Sequence, residues 1–398
     1  YLDTQSVDAA RNLGSWSYKT DFGRGGGSYT MTSAGVCGLY ICSLELSRGK
    51  QGLDPATGVA SKCGFYDEND ALTRGMRFLE RNFSFKQSAP TSFYNVYGIE
   101  RVGRLSGERF LGDHDWYREG CEILTGVRKD YPMLIQRDDG SFYSGDGIVI
   151  DGFRVASTSL ALLFLAKGRT PILVSKLAYD VDNPQLKFEW NRKHHDARNM
   201  VDYASRELFK RHPLAWQIYD PRKLELADKK TFDDELSSLL QSPILYITGH
   251  RAPNLTPRQK ELLRRFVEEG GFILAEACCG DPNFADGFKD LMKEVFEERT
   301  SPLRPLPPEH PVWTAHSLVK PSDFPKLMGV ERGCRTVVIM SPQPLAGFWE
   351  EAQFAPEVGR PAVDLGGKAY RLAGNIIAYA TNLELPPPRL PKGKVPEK

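Results

Sequence analysis

The hydrophobic pattern of the chain changes near residue 170, and this change constrains the fold more than any other feature. Before it, apolar residues recur at helical spacing, as at Leu72, Met76 and Leu79 after Asn69, a good helix N-cap. After it, short apolar runs typical of buried strands alternate with amphipathic helical segments. The sequence therefore predicts two domains, an α domain over 1–168 and an α/β domain over 171–385, with a Pro- and Lys-rich tail over 386–398.

The first half predicts five helices joined by Gly-rich and aromatic loops. They are expected over 28–46, from Asn69, over 93–105, from Asp115, and over 156–166. Gln136 is followed by Gly140-Ser141-Phe142, a spacing in which the Gln can cap backbone groups while the aromatic ring packs. Repeats that cannot bury their apolar faces alone usually stack or close into a ring.

The second half predicts strands at 171–174, 216–219, 243–247, 272–277 and 337–340, separated by helical segments. Thr256-Pro257-Arg258-Gln259 forms a capping box with Pro at the first helical position. Regular alternation of strand and helix indicates a doubly wound parallel sheet.

The charge balance argues against several classes of partner. With 52 basic and 51 acidic side chains, the net charge is only +1, so nucleic acid or an anionic membrane surface would need a local basic patch. No apolar run approaches the roughly 20 residues of a membrane span. The seven cysteines show no metal-pair or disulfide spacing, so the sequence predicts no metal and no cofactor. Protein partners or self-association are the expected interactions.

Two stretches of the first half carry a family resemblance. The Gln136…Gly140-Ser141-Phe142 segment is similar to a Gln-Trp motif with Phe in place of Trp, and His114-Asp115-Trp116-Tyr117 is similar to stretches of bacterial toroid proteins. Residues 1–168 thus resemble prenyltransferase and squalene-oxidase-like α/α toroid repeats. A complete toroid has more helices, so an N-terminal part is expected to lie outside this chain.

The second half resembles an uncharacterised bacterial, planctomycete-type domain with a class I glutamine amidotransferase-like, flavodoxin-like fold. The matching pieces are residues 244–250, 270–280 and 301–311. Relatives of this layout often carry secretion leaders. The resemblance therefore implies a cell-envelope or periplasmic location, with the cytoplasm as the alternative.

The amidotransferase resemblance directs attention to Cys278. In such folds the nucleophilic cysteine stands on a Gly-x-Cys-x-Gly turn after a strand, and here Glu276 replaces the first Gly. The resemblance also implies a downstream His-x-Glu pair, which this sequence lacks. Cys278 is a candidate catalytic residue, and the alternative is a packed thiol or a small ligand site formed with Glu276, Cys279, His250 and His316.

Two further groups have simpler interpretations. His250, Glu276, His310 and His316 could ligate a metal, but no pair has helical ligand spacing. Asp113 and Asp115 resemble part of the Asp-x-Asp-Asp acid motif of toroid cyclases without its third Asp. They are candidate binding residues, and helix capping accounts for them equally well.

The leading functional hypothesis is a non-enzymatic binding or scaffold protein, because neither domain keeps the catalytic motif of the family that it resembles. The first alternative is a cysteine-dependent hydrolase or amidotransferase-like enzyme that uses Cys278. The second alternative is isoprenoid or glycan binding in the toroid cavity.

Overall fold

The amphipathic and buried segments of the sequence assemble into two units in the computed structural model. It describes residues 4–18, 27–66, 69–85, 92–142, 153–168, 170–222, 229–296 and 302–387. The first unit contains the described residues up to Leu46 and from Asn69 to Thr170. The second contains Ser47–Tyr66 and the described chain from Pro171 onward.

The first unit is mainly helical. A short antiparallel hairpin, which no sequence pattern predicted, precedes the helices. Its strands are β1 (Ser6–Asp8) and β2 (Leu13–Ser15), and the helices are α1 (Tyr29–Leu46), α2 (Asp70–Arg81), α3 (Ser92–Ser106), α4 (Trp116–Leu124) and α5 (Arg154–Gly168). Each of the five predicted helices is found within two residues of its expected start. Asn69 caps α2 by accepting from the Leu72 amide at 3.0 Å, as its sequence position indicated.

The Gln136 segment of the first unit has the local geometry that its spacing predicted. The Gln136 side-chain amide donates to the Gly140 carbonyl at 2.9 Å. Gly140 has φ of 82°, a left-handed conformation that glycine adopts without strain. Phe142 is buried in the helical core. The turn is therefore closed by the amide and anchored by the ring.

The second unit is built on a seven-stranded sheet. In chain order its strands are β3 (Ile172–Leu177), β4 (Ala215–Tyr219), β5 (Ile244–Gly249), β6 (Phe272–Ala277), β7 (Arg304–Pro305), β8 (Met328–Arg332) and β9 (Arg335–Ser341). Their order across the sheet is β4-β3-β5-β6-β9-β8-β7. The first five are parallel, and β8 and β7 add an antiparallel edge. The sheet is thus mostly parallel rather than wholly so, because a tight turn joins β8 to β9.

Helices cover both faces of this sheet. They are α6 (Asp196–Glu207), α7 (Lys229–Leu239), α8 (Pro257–Glu268), α9 (Pro282–Val295), α10 (Ala346–Glu350) and α11 (Leu365–Thr381). Alternate residues of β6 enter two cores: Leu274 packs with α6 and α11, whereas Ile273 and Ala275 pack with α8 and α9. Burial on both faces explains why the central strands read as continuous apolar runs. No helix in the described ranges has the length and apolar character to cross a membrane.

The segment Ser47–Tyr66 belongs with the second unit, although it lies within the first half of the sequence. By its position in the sequence it was expected to belong to the 1–168 domain. It contains no helix or regular strand, and its backbone is held by turns such as the Gly58 amide donating to the Asp54 carbonyl at 2.8 Å. A segment without apolar periodicity gives no signal of the unit that it joins.

Candidate metal centre

The candidate site begins where two neighbouring strands end. Strands β5 and β6 are parallel, and Gly249 of β5 is level with Ala277 of β6. His250 directly follows the first strand, and Cys278 and Cys279 directly follow the second. Because parallel strands end at the same edge of a sheet, the register brings the imidazole and the two thiols together at the carboxyl edge, where open α/β sheets bind ligands.

The turn after β6 has an unusual backbone. Cys279 has φ of 56° and ψ of 16°, the left-handed helical region. A residue with a Cβ pays about 1 kcal/mol or more there. The chain then enters α9 at once, because Asp281 accepts from the Asn283 amide at 2.8 Å and Pro282 occupies the first helical position. Strain of this kind at the end of a strand is a feature of functional sites.

A third thiol reaches the same place from Ser47–Tyr66. The Sγ atoms of Cys63 and Cys278 lie 3.3 Å apart. One possible ligand atom from each of Cys63, His250, Cys278 and Cys279 lies within 4.8 Å of all the others. In a tetrahedral zinc site with Zn–S bonds of about 2.3 Å, neighbouring ligand atoms are about 3.8 Å apart. Among the described residues, this is the one group of at least three His, Cys, Asp or Glu residues close enough to share an ion.

The four residues are shielded from solvent to different degrees. Cys278 is fully buried, and the other three are half-buried. The His250 Nε2 atom is buried. Hydrogen bonds with the Cys279 and Cys63 thiols raise the pKa of His250 to about 10. A metal ion would take the place of these shared protons, because it binds a neutral imidazole and ionised thiols.

The thiols ionise unequally because they share hydrogen bonds. Hydrogen bonds with Cys278 and Cys63 lower the pKa of Cys279. The pKa of Cys278 is raised by its hydrogen bonds with Cys279 and Cys63, and burial raises it further. The buried Cys278 thiol therefore does not resemble an activated nucleophile.

A buried lysine lies against the cysteine cluster. Lys193 is 1% exposed, and its ammonium group donates to the side-chain carbonyl of Gln51. Burial alone lowers the pKa of Lys193, but the negative charge of Cys278, Cys63 and Cys279 outweighs it and raises that pKa above its usual range. Gln51 belongs to the same segment as Cys63 and also donates to the Arg192 carbonyl at 3.1 Å.

The Glu276 carboxylate is bonded to Thr248 and to the start of α10 rather than to the cluster. One carboxylate oxygen accepts from the Thr248 hydroxyl at 2.7 Å, and the other accepts from the amides of Leu345 at 2.8 Å and Ala346 at 3.1 Å. Burial raises the pKa of Glu276 to about 7. The residue that replaces glycine in the expected turn thus fastens the start of α10 to the edge of the sheet.

The remaining candidate residues lie elsewhere. His310 bonds through its ring to the Thr336 hydroxyl at 2.8 Å, at the amino end of β9 and so at the opposite edge of the sheet. His316 is exposed, and its backbone amide donates to Asn375 of α11. Asp115, in the first unit, caps α4 by accepting from the Arg118 amide, while Asp113 is exposed. Only His250, Cys278 and Cys279 of the predicted site residues come together.

The cluster residue that sequence reasoning missed is Cys63. It stands 215 residues before Cys278, in a turn that shares no motif with the strand ends. In the sequence it is a single cysteine in a Gly-rich loop, without a neighbouring cysteine or histidine at metal-ligand spacing. The sequence could give no reason to pair it with a distant strand.

A second polar cluster in this unit surrounds Glu350. Its carboxylate accepts from the Tyr66 hydroxyl at 2.5 Å and from the His195 amide at 2.7 Å, and it pairs with the His195 Nδ1 at 2.7 Å. Burial raises the pKa of Glu350, but His195 and the hydrogen bonds outweigh it and lower that pKa to about 2. Tyr66 also stacks on the His194 ring, with centroids 3.6 Å apart.

Comparison with known proteins places part of the second unit in a protein family. Residues 183–381, half of the chain, match a family model described as a Domain of unknown function (DUF4159). The matched region contains His250, Cys278 and Cys279 and leaves Cys63 outside. No curated protein matches the chain.

Proposed function

The chain belongs to the DUF4159 family, and we propose that its second unit binds one zinc ion through Cys63, His250, Cys278 and Cys279. The observation that supports the proposal is the convergence of four ligand atoms within 4.8 Å from three separate segments. This proposal replaces our expectation from the sequence that the chain binds no metal.

The ligand chemistry favours zinc. Three thiolates and one imidazole form a soft set that suits Zn²⁺ in tetrahedral geometry. An iron–sulfur cluster is larger than a single ion and would hold its ligands farther apart than 4.8 Å. Since all four positions of a tetrahedron would be filled by the protein, the site is of the closed, structural type.

Charge supports the same proposal. Zinc with three thiolates and a neutral imidazole carries one net negative charge, which is costly to bury without a counter-charge. The buried ammonium group of Lys193 supplies one positive charge at the cluster. Groups of this kind around a metal typically change its affinity 10- to 100-fold when they are removed.

A structural ion fits the leading hypothesis of a non-enzymatic binding or scaffold protein. The ion would fasten Ser47–Tyr66 to the carboxyl edge of the sheet, and partners would meet the resulting surface. The alternative, a hydrolase or amidotransferase-like enzyme using Cys278, is less well supported because that thiol is buried and its pKa is raised. Isoprenoid or glycan binding by the helical unit stays a prediction.

The finer fold assignments are also proposals. When the parallel strands β3, β4, β5, β6 and β9 are numbered in chain order, they run 2-1-3-4-5 across the sheet. This order supports a flavodoxin-like topology, to which the amidotransferase-like folds belong. The toroid-like fold of the helical unit and a cell-envelope location, both expected from the sequence, are likewise proposals.

Metal analysis of the full chain tests the zinc proposal. We expect one zinc per chain, and we expect cobalt substitution to give the intense thiolate-to-metal absorption of a site rich in sulfur. Cys63→Ser and His250→Ala should each lose most of the bound metal. The matched control is Cys334→Ser, which removes an exposed thiol of the same unit outside the cluster. Metal-free protein whose cluster thiols all react as free thiols would contradict the proposal.

A further inference from the structure

The three cluster thiols differ in how readily they can pair with each other as disulfides. The Sγ atoms of Cys63 and Cys278 are 3.3 Å apart, and a disulfide bond is about 2.05 Å long. Closing that gap needs a movement of about 1.3 Å. Cys63 can supply the movement because it lies in a turn outside the helices and strands, whereas Cys278 is fixed at the end of β6.

The neighbouring pair is a poorer candidate for oxidation. A disulfide between Cys278 and Cys279 would close a small ring around the peptide bond that joins them, and a trans peptide resists that closure. The left-handed conformation of Cys279 already strains this turn. A disulfide between Cys63 and Cys278 is therefore favoured over one between Cys278 and Cys279.

Resting on the proposed zinc site, we infer that oxidation links Cys63 to Cys278 and releases the ion, so that the centre is a redox-sensitive clamp. A peroxide is the oxidant. The Cys63 thiolate attacks one peroxide oxygen and becomes a sulfenic acid, and hydroxide leaves. The Cys278 thiolate then attacks the Cys63 sulfur, the S–S bond forms, and a second hydroxide leaves.

Within the Cys63–Cys278 pair, exposure sets the order of these steps. Cys63 is half-buried and can meet a small oxidant, whereas Cys278 is fully buried and acts as the resolving thiol. After oxidation only His250 and Cys279 remain as ligands, and two protein ligands do not retain zinc in a closed site. The disulfide would still hold Ser47–Tyr66 on the sheet. Oxidation thus removes the ion but leaves Ser47–Tyr66 attached through the disulfide. Chelation under reducing conditions leaves neither the ion nor a disulfide to attach this segment.

The test titrates the zinc-loaded full chain with hydrogen peroxide. Released zinc is followed with a colorimetric chelator, and the thiols are mapped by differential alkylation and peptide mass spectrometry. We expect one zinc released per Cys63–Cys278 disulfide, and recovery of the ion after a thiol reductant and zinc are added. Zinc that stays bound while the disulfide forms would overturn the inference, as would zinc release with Cys63 and Cys278 unlinked.

Matched variants separate this inference from the zinc proposal. Cys334→Ser should behave as the parent does. Cys279→Ser keeps the proposed disulfide pair and should still give the Cys63–Cys278 link under peroxide. Absence of zinc before any peroxide is added would defeat the proposed function, whereas bound zinc with no link after oxidation would defeat the inference alone.

Discussion

At the scale of single residues, the buried charges of the second unit are balanced by specific partners. Lys193 is opposed by the negative charge of the cysteine cluster. Lys176 pairs with Asp196 at 2.6 Å, and both of these side chains are buried. Removing one partner of such a pair leaves a buried charge without compensation, which typically costs 3–5 kcal/mol. The polar residues at this edge of the sheet are therefore interdependent.

Glu350 gives a pH-dependent prediction at this scale. Because the pKa of Glu350 is lowered to about 2 in the folded protein, its ionised form stabilises the fold above the ordinary glutamate pKa near 4.3. That stability is lost as the pH falls from about 4.3 toward 2, since the unfolded chain then binds the proton more readily. Glu350→Gln should therefore unfold more easily than the parent at pH 7 and should approach it in stability toward pH 3.

Urea unfolding at several pH values measures this difference. The control is Glu351→Gln, a change at the neighbouring carboxylate, which lacks the contacts with Tyr66 and His195. A constant difference between Glu350→Gln and the parent from pH 7 to pH 3 would show that the carboxylate is not held ionised by its partners.

At the scale of the elements, local signals explain what could be predicted from the sequence. The capping box at Thr256 requires only residues within one turn, and the structure shows both of its bonds: Gln259 donates to the Thr256 hydroxyl oxygen, and its side chain accepts from the Thr256 amide at 3.1 Å. Strand β6 was predicted to the residue because it is buried on both faces and opens with an apolar run over Phe272–Ala275.

The features that escaped prediction depend on distant neighbours. Helix α7 has the polar sequence of a surface helix, and strand β8 is joined to the predicted strand β9 only through a short turn. The candidate metal centre joins three segments. Only the ends of β5 and β6 could be expected to meet, because parallel strands end at the same edge of a sheet. Cys63 arrives from a loop, and no periodicity links it to them.

Thr256→Ala tests the start of α8. Loss of the capping hydroxyl should lower the free energy of unfolding by about 1 kcal/mol, within a range of about 0.5–2 kcal/mol. Thr256→Ser keeps the hydroxyl and should lose much less. Denaturant unfolding of the three proteins provides the comparison, and equal stability of the Ala and Ser variants would show that the cap contributes little.

At the scale of the whole molecule, the ion would act as a cross-link. A ligand that binds only the folded state stabilises it by about 4 kcal/mol when its concentration is a thousand times its dissociation constant. In this chain the stabilisation belongs to the second unit, because Cys63, His250, Cys278 and Cys279 all lie within it.

Chelation tests this prediction by hydrogen exchange. Under reducing conditions, a strong chelator should speed amide exchange in Ser47–Tyr66 and in the turn at Cys278–Gly280. Helices α2 and α4 of the first unit, which contain none of the ligands, should exchange at an unchanged rate. Re-addition of zinc should restore the slow exchange. Unaltered exchange in Ser47–Tyr66 after complete metal removal would show that the segment is held without the ion.

The distance of 215 residues between Cys63 and Cys278 also has a consequence for biosynthesis. At about 5–20 residues per second, Cys63 leaves the ribosome roughly 10–40 s before the strand end that it must meet. During that interval its thiol has no native partner, and strand β6 does not yet exist. A site that joins Cys63 to Cys278 would therefore need Cys63 to stay reduced and unpaired until the second half of the chain is made, so the supply of reductant during translation should affect the yield of folded protein.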